Sequence, residues 1–157
     1  MKKENPYRRF FLMLAVSFVV MYVVMYLNVY ELQHVYFSLT RFYMTVLMIT
    51  PMALIMLGFM QHMYQNKQRN VLIVLGSVVV FVAALTMVRA QTLVDDSRWM
   101  KAMIPHHSIA ILTSERANLQ DPEVRKLADG IIETQQREIG EMQQMLHRLN
   151  EEKKARP

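Results

Sequence analysis

Three stretches of the chain contain no charged residue, and each is long enough to form a membrane-spanning helix. They comprise residues 10–30, 42–60 and 71–88. A helix needs about 20 apolar residues to cross a bilayer, so the third stretch only just suffices. The first is longer than the apolar part of a secretory signal and shows no small-residue cleavage pattern. The pattern therefore predicts three transmembrane helices, the first of them a retained anchor.

Beyond Arg89 the pattern becomes that of amphipathic helices with one break, at residues 118–122. Asp121 can cap a new helix there, and Pro122 suits its first turn. Alternating spacings of four and three align one set of side chains along a face of each helix. The first set is Asp96, Met100, Met103, His107, Ala110, Ser114 and Ala117; the second is Val124, Ala128, Ile131, Gln135, Glu138, Met142, Met145 and Leu149.

The predicted fold class is all-α, with a three-helix transmembrane anchor over residues 1–90 followed by a helical domain outside the membrane over residues 91–157. Two helices joined by so short a turn should pack as an antiparallel hairpin. A lone hairpin of this size buries too little surface to be stable, whereas two of them across a two-fold axis form a four-helix bundle. We therefore expect a homodimer.

The net charge of +5 does not indicate nucleic-acid binding, because residues 1–88 hold seven basic and two acidic residues and residues 89–157 hold eleven of each. Basic residues flanking membrane helices stay in the cytoplasm. The four at the amino terminus, with Lys67 and Arg69, predict a cytoplasmic amino terminus and a carboxy-terminal domain on the outer side. The chain has no cysteine, so a soft metal ligand would have to be methionine.

Polar groups interrupt both apolar stripes. For a turn centred near residue 120, antiparallel packing brings Gln135 and Glu138 to the level of Met103 and His107. Met103, His106 and His107 place a thioether and two imidazoles within little more than one helical turn, and Met142 lies one turn beyond Glu138. Imidazole with thioether suits copper best. The alternative is that the histidines are structural, satisfied by Glu138 and Gln135 in a contact that fixes the dimer register.

Residues 103–111 form the segment Met-Ile-Pro-His-His-Ser-Ile-Ala-Ile, with Asp96 and Trp99 before it and Gln135, Glu138-Ile139 and Met142 after it. With these residues the chain resembles the domain of unknown function 305 family over about residues 95–149. The resemblance implies a ferritin-like helical bundle, often exported or membrane-anchored in bacteria. Some members bind copper or silver through histidine and methionine. Members commonly carry two helical pairs, so the single pair here would have to associate with a second copy.

These observations predict a membrane-anchored protein that captures copper or silver outside the cytoplasmic membrane of a bacterium, with a metal site at His106, His107, Met103, Glu138, Met142 and Gln135. The alternative is a dimerising or sensing module with structural histidines. We do not expect an enzyme, because di-iron oxidases need Glu-x-x-His pairs on their bundle helices and the helical part beyond residue 90 contains none.

Methionines recur every fourth residue along the second membrane helix. They are Met44, Met48, Met52, Met56 and Met60. Methionine is an adaptable apolar packing residue, which is the reading we prefer. A ladder of soft ligands that conducts copper(I) is the less favoured alternative.

Overall fold

The computed structural model describes residues 5–155, in which all regular secondary structure is helical. The five α-helices are α1 (Pro6–Val24), α2 (Leu39–Phe59), α3 (Lys67–Ala90), α4 (Asp96–Arg116) and α5 (Pro122–Ala155), with short 3-10 turns at Leu32–His34 and Gln61–Met63. The chain divides into two compact units. The apolar unit comprises residues 5–25 and 40–92, and the α4–α5 unit comprises residues 26–39 and 93–155.

The apolar unit contains three helices that are long and apolar enough to cross a membrane, as predicted. Few of their side chains are covered by protein. Only 11%, 28% and 6% of the most apolar windows of α1, α2 and α3 are buried. Apolar side chains that face outward on helices of this length are typical of segments surrounded by lipid.

A small core forms between these helices from Tyr7, Phe10, Ala53, Leu57 and Tyr64. The methionine stripe of α2 does not form one interior column. Met44 and Met48 are 42% and 53% exposed, whereas Met56 and Met60 pack against the core.

The first helix is shorter than its apolar stretch, because α1 ends at Val24 rather than at residue 30. Residues 26–30 belong instead to the α4–α5 unit, where Tyr30, together with Tyr36, packs against the core formed by α4 and α5. Our prediction divided the chain once, after residue 90, and did not assign residues 26–39 to this unit. We call residues 26–39 the docking segment.

The boundaries of α4 and α5 follow local capping signals. The Asp95 carboxylate accepts a hydrogen bond from the backbone N–H of Arg98 at 2.8 Å, which caps α4. The Asp121 carboxylate accepts from the N–H groups of Glu123 and Val124, at 2.8 and 3.0 Å, and Pro122 begins α5. The predicted break between the two helices is confirmed.

The α4–α5 unit has a core in which the two helices pack against each other. Its buried members are Met100, Ile104, Ile111, Ile139, Met142 and Leu146. These faces are rotated from the predicted stripes, since Asp96, Val124 and Met145 are exposed. The reason is that Ile104, Ile111 and Ile139 lie beside the predicted stripes, and burying large aliphatic side chains is more favourable than burying polar positions.

Candidate metal site and its surroundings

His107 is the predicted ligand that the structure holds most firmly. Its Nδ1 lies 2.9 Å from the carbonyl oxygen of Met103, one turn earlier in α4, and its Nε2 lies 2.7 Å from Oε2 of Glu138 on α5. A carbonyl oxygen can only accept a hydrogen bond, so Nδ1 carries the hydrogen. The Nε2 atom and the Glu138 carboxylate therefore share one proton.

This arrangement orients the imidazole in the way that many metal-binding proteins do. A metal-ligating histidine commonly donates its other ring N–H to a backbone carbonyl, which fixes the tautomer and the ring orientation. The His107 side chain is 11% exposed and that of Glu138 is 38% exposed, so the pair lies at the edge of the core. Glu138 is the more solvent-accessible member of the pair.

The other predicted ligands have different surroundings. His106 is exposed, with its ring centroid 6.1 Å from that of His107. Met103 is partly buried, and Met142 is 6% exposed within the core. Gln135 lines an open groove along α5 together with Leu127 and Ile131. Within residues 5–155 no cluster of three or more histidine and carboxylate side chains is placed to hold a metal ion.

The register between α4 and α5 agrees with the prediction that Glu138 lies at the level of His107, since Nε2 of His107 and Oε2 of Glu138 are 2.7 Å apart. Ala117 has an extended backbone, with φ −68° and ψ 134°, and the connection runs from there to Pro122.

A second polar cluster, not predicted from the sequence, centres on the fully buried Ser108 of α4. Its Oγ accepts a hydrogen bond from the backbone N–H of Tyr30 at 2.7 Å and lies 3.0 Å from Nδ1 of His34. The Tyr30 hydroxyl donates to the carboxylate of Glu115 at 3.3 Å. These contacts attach the docking segment to the face of α4 next to the one that packs on α5.

Burial decides the charge state of His34, which is 6% exposed. Desolvation lowers the pKa of its imidazole, and the nearby Glu31 carboxylate, 4.0 Å from Nε2, opposes that shift. The hydrogen bond to Glu115 is the main cause that raises the pKa of the Tyr30 hydroxyl. At neutral pH the segment is therefore held by an uncharged imidazole and a protonated phenol.

Ser108, His34 and Glu31 are the residue types of a nucleophilic triad, but their arrangement does not support nucleophilic catalysis. Ser108 has no exposed surface, so no substrate can reach its hydroxyl. The 4.0 Å between His34 and Glu31 also exceeds hydrogen-bond distance. A single serine inside an apolar pattern gives no sequence signal of such a contact, because its partners are 78 and 74 residues away.

The fold and the site thus define an all-helical protein with three helices able to cross a membrane and a helical pair that carries a histidine–glutamate contact. The family model described as "Domain of unknown function (DUF305)" matches residues 83–157. A protein of Acanthamoeba polyphaga mimivirus, described as uncharacterized, is 33% identical over 138 residues, which covers 86% of this chain and 89% of that protein.

The chain belongs to the DUF305 family, as its resemblance indicated. The similarity to the mimivirus protein extends well beyond residues 83–157, so it includes much of the apolar part of the chain. No solved structure matches the chain.

Proposed function

We propose that this protein is a membrane-anchored metal-binding protein that captures copper, or silver, through His107 and Glu138. The observation that carries the proposal is the fixed orientation of His107, whose Nδ1 donates to the Met103 carbonyl while its Nε2 lies 2.7 Å from the Glu138 carboxylate. An ion that replaces the shared proton would be bound by one nitrogen and one oxygen. Imidazole with carboxylate suits copper(II), and the neighbouring Met103 thioether suits copper(I) or silver.

A second copy of the chain would complete the site. In this proposal α4 and α5 form an antiparallel hairpin that is half of a ferritin-like four-helix bundle. Val124, Ile131 and Met145 of α5 are 47%, 37% and 45% exposed. With Glu138 they form a series in which each residue follows the previous one by seven, so all four lie along one face of the helix.

Burying that apolar face against its two-fold mate would bring two His107–Glu138 pairs to one interface. Two pairs supply four ligands, which a single chain does not offer. The exposed His106 imidazole is available on the adjacent part of α4 as a further ligand. The metal site of this proposal is therefore a property of the homodimer.

The proposed location is the cytoplasmic membrane of a bacterial cell, with the amino terminus inside and the α4–α5 unit on the outer side. The support is the charge distribution: Arg8, Lys67 and Arg69 flank the membrane helices at the end assigned to the cytoplasm. Capture on the outer side would serve resistance, storage or delivery of the ion.

The second candidate function is a dimerising or sensing module without a metal. One observation favours it: both ring nitrogens of His107 already have partners within the chain, so the imidazole needs no ion to be satisfied. In that case the His107–Glu138 contact would fix the packing of the two helices and the register of the dimer.

Titration calorimetry of the full chain in detergent, with copper(II) and separately with silver(I), distinguishes the two. The metal proposal expects one ion for every two chains, and loss of binding in a variant with both His106→Ala and His107→Ala. The exposed His147 of α5 provides the matched control, so His147→Ala should bind normally. A stable dimer that takes up neither ion would favour the sensing module, and undiminished binding by the double variant would exclude these histidines.

A further inference from the structure

The apolar unit contains an open groove of about 600 Å³ at the corner between α2 and α3. One part of its wall is apolar and includes Leu54, Leu57 and Val74. Another part is polar and includes Gln61, Tyr64 and Lys67, from the end of α2 to the start of α3. A groove with this division suits an amphiphilic molecule, because each end of the ligand meets a matching surface.

The Tyr64 hydroxyl lacks the partner that a buried polar group normally has. Tyr64 is 2% exposed, and its hydroxyl is buried without a hydrogen bond to any residue that the structure describes. Leaving a buried polar group unpaired costs free energy, so each such group in a folded protein calls for an explanation. Burial also raises the pKa of this phenol, which keeps it a hydrogen-bond donor at neutral pH.

The neighbouring Tyr7 shows that this corner otherwise satisfies its polar groups. Its ring packs 5.4 Å from that of Tyr64, and its hydroxyl donates to Oδ1 of Asn70 at 2.8 Å. The same hydroxyl accepts from the backbone N–H of Asn66 at 3.1 Å. The Asn70 amide in turn donates to the Tyr64 carbonyl at 2.8 Å. The unpaired hydroxyl of Tyr64 is therefore an exception within an otherwise complete network.

The charge of the apolar unit indicates the sign of the ligand. Residues 5–25 and 40–92, the part of this unit that the structure describes, contain no aspartate or glutamate and so offer Lys67 no carboxylate partner. Arg69 lies two residues further along α3, with its guanidinium 5.3 Å from the centre of the Tyr7 ring. An anion at the groove would be attracted by both cations.

We propose that this groove binds one anionic phospholipid, with its phosphate at Lys67 and Tyr64 and an acyl chain along Leu54, Leu57 and Val74. Because the Tyr64 hydroxyl is itself buried, binding includes a small rotation of this side chain into the groove that it lines. The phenol and the Lys67 ammonium then donate to phosphate oxygens, which gives the phenol its missing partner. The acyl chain covers the apolar part of the groove. The proposal shares the membrane helices with the proposed function but involves neither metal nor the α4–α5 unit.

The test is native mass spectrometry and thermal unfolding of the full chain in detergent with added phosphatidylglycerol, phosphatidylcholine or glycerol phosphate. We expect phosphatidylglycerol to remain bound and to raise the unfolding temperature more than phosphatidylcholine does. Lys67→Gln should weaken binding about tenfold and Tyr64→Phe about fivefold, from the loss of a charged and a neutral hydrogen bond. Arg89→Gln, a charge removal near the other end of α3, is the matched control and should bind normally.

Tyr64→Phe also checks that any loss is not misfolding. Without anionic lipid this variant should unfold at the wild-type temperature or higher, since it removes an unpaired buried hydroxyl. Equal binding of phosphatidylglycerol by the wild type, Lys67→Gln and Tyr64→Phe would overturn the proposal. So would equal stabilisation by phosphatidylcholine, or by glycerol phosphate, which lacks acyl chains. None of these readouts involves metal, so failure here leaves the proposed function intact.

Discussion

The attachment of the docking segment to α4 rests on Ser108, and its removal has a calculable effect. Ser108→Ala leaves the Tyr30 N–H and the Nδ1 atom of His34 without their shared partner. A buried polar group that loses its partner costs about 1–3 kcal/mol. His34 is buried, but Tyr30 is only partly buried and water can reach its amide. We therefore expect the segment to lose about 2 kcal/mol of attachment.

Hydrogen exchange of the full chain in detergent, read by mass spectrometry, measures this loss locally. A change of 2 kcal/mol raises the opening equilibrium about 30-fold, so amides of residues 26–39 should exchange about 30 times faster. The amides of α4 itself should not follow, because alanine has a higher helix propensity than serine. The faster exchange should therefore be confined to residues 26–39.

Thr113→Ala is the matched control, since it removes a hydroxyl from the same helix at an exposed position. Within residues 5–155, the Thr113 hydroxyl bonds only to carbonyls of its own helix, those of Ile109 and Ala110. We expect exchange in the docking segment to change by less than about twofold. If Ser108→Ala leaves exchange in residues 26–39 as slow as Thr113→Ala does, the serine does not hold the segment.

Two further predictions follow from the same unit. Burial lowers the pKa of His34, so the folded state binds fewer protons than the unfolded state just below the ordinary histidine value of about 6.5. The attachment of the docking segment should therefore weaken as pH falls through that region. Hydrogen exchange of residues 26–39 at pH 7.5 and 5.5, corrected for intrinsic rates, tests this, and equal exchange at the two pH values would contradict it. Met142→Ala, at 6% exposure, should cost about 2–5 kcal/mol in thermal unfolding. Gln144→Ala, at an exposed position of the same helix, should cost less than about 0.5 kcal/mol. Equal costs would contradict the assignment of Met142 to the core.

The elements that sequence predicted well are those with a local signal. Asp121 and Pro122 are adjacent residues with strong positional preferences, so the start of α5 was predictable to the residue. The uncharged stretches likewise predicted three helices able to cross a membrane. The proximity of His107 and Glu138 was also predictable, because antiparallel packing about a turn near residue 120 brings the two residues to one level.

The features that sequence did not predict depend on long-range packing. Residues 25–30 continue the apolar pattern of α1, and nothing local shows that Tyr30 packs on a helix that follows much later in the chain. Ser108 lies next to the predicted stripe of α4 and gains its role only from Tyr30 and His34. The unpaired, buried hydroxyl of Tyr64 could not be predicted from the sequence either, since a tyrosine near a membrane boundary normally indicates an interfacial position.

The docking segment also constrains the order in which the molecule matures on the ribosome. Tyr30 is synthesised 78 residues before the serine that receives its hydrogen bond, and α2 and α3 emerge in between. At roughly 5–20 residues per second, the segment waits for several seconds without its partner. Until then Tyr30 and Tyr36 lack the core of α4 and α5 against which they pack. Attachment of residues 26–39 is therefore a late, non-local step, completed only after the third apolar helix has been made.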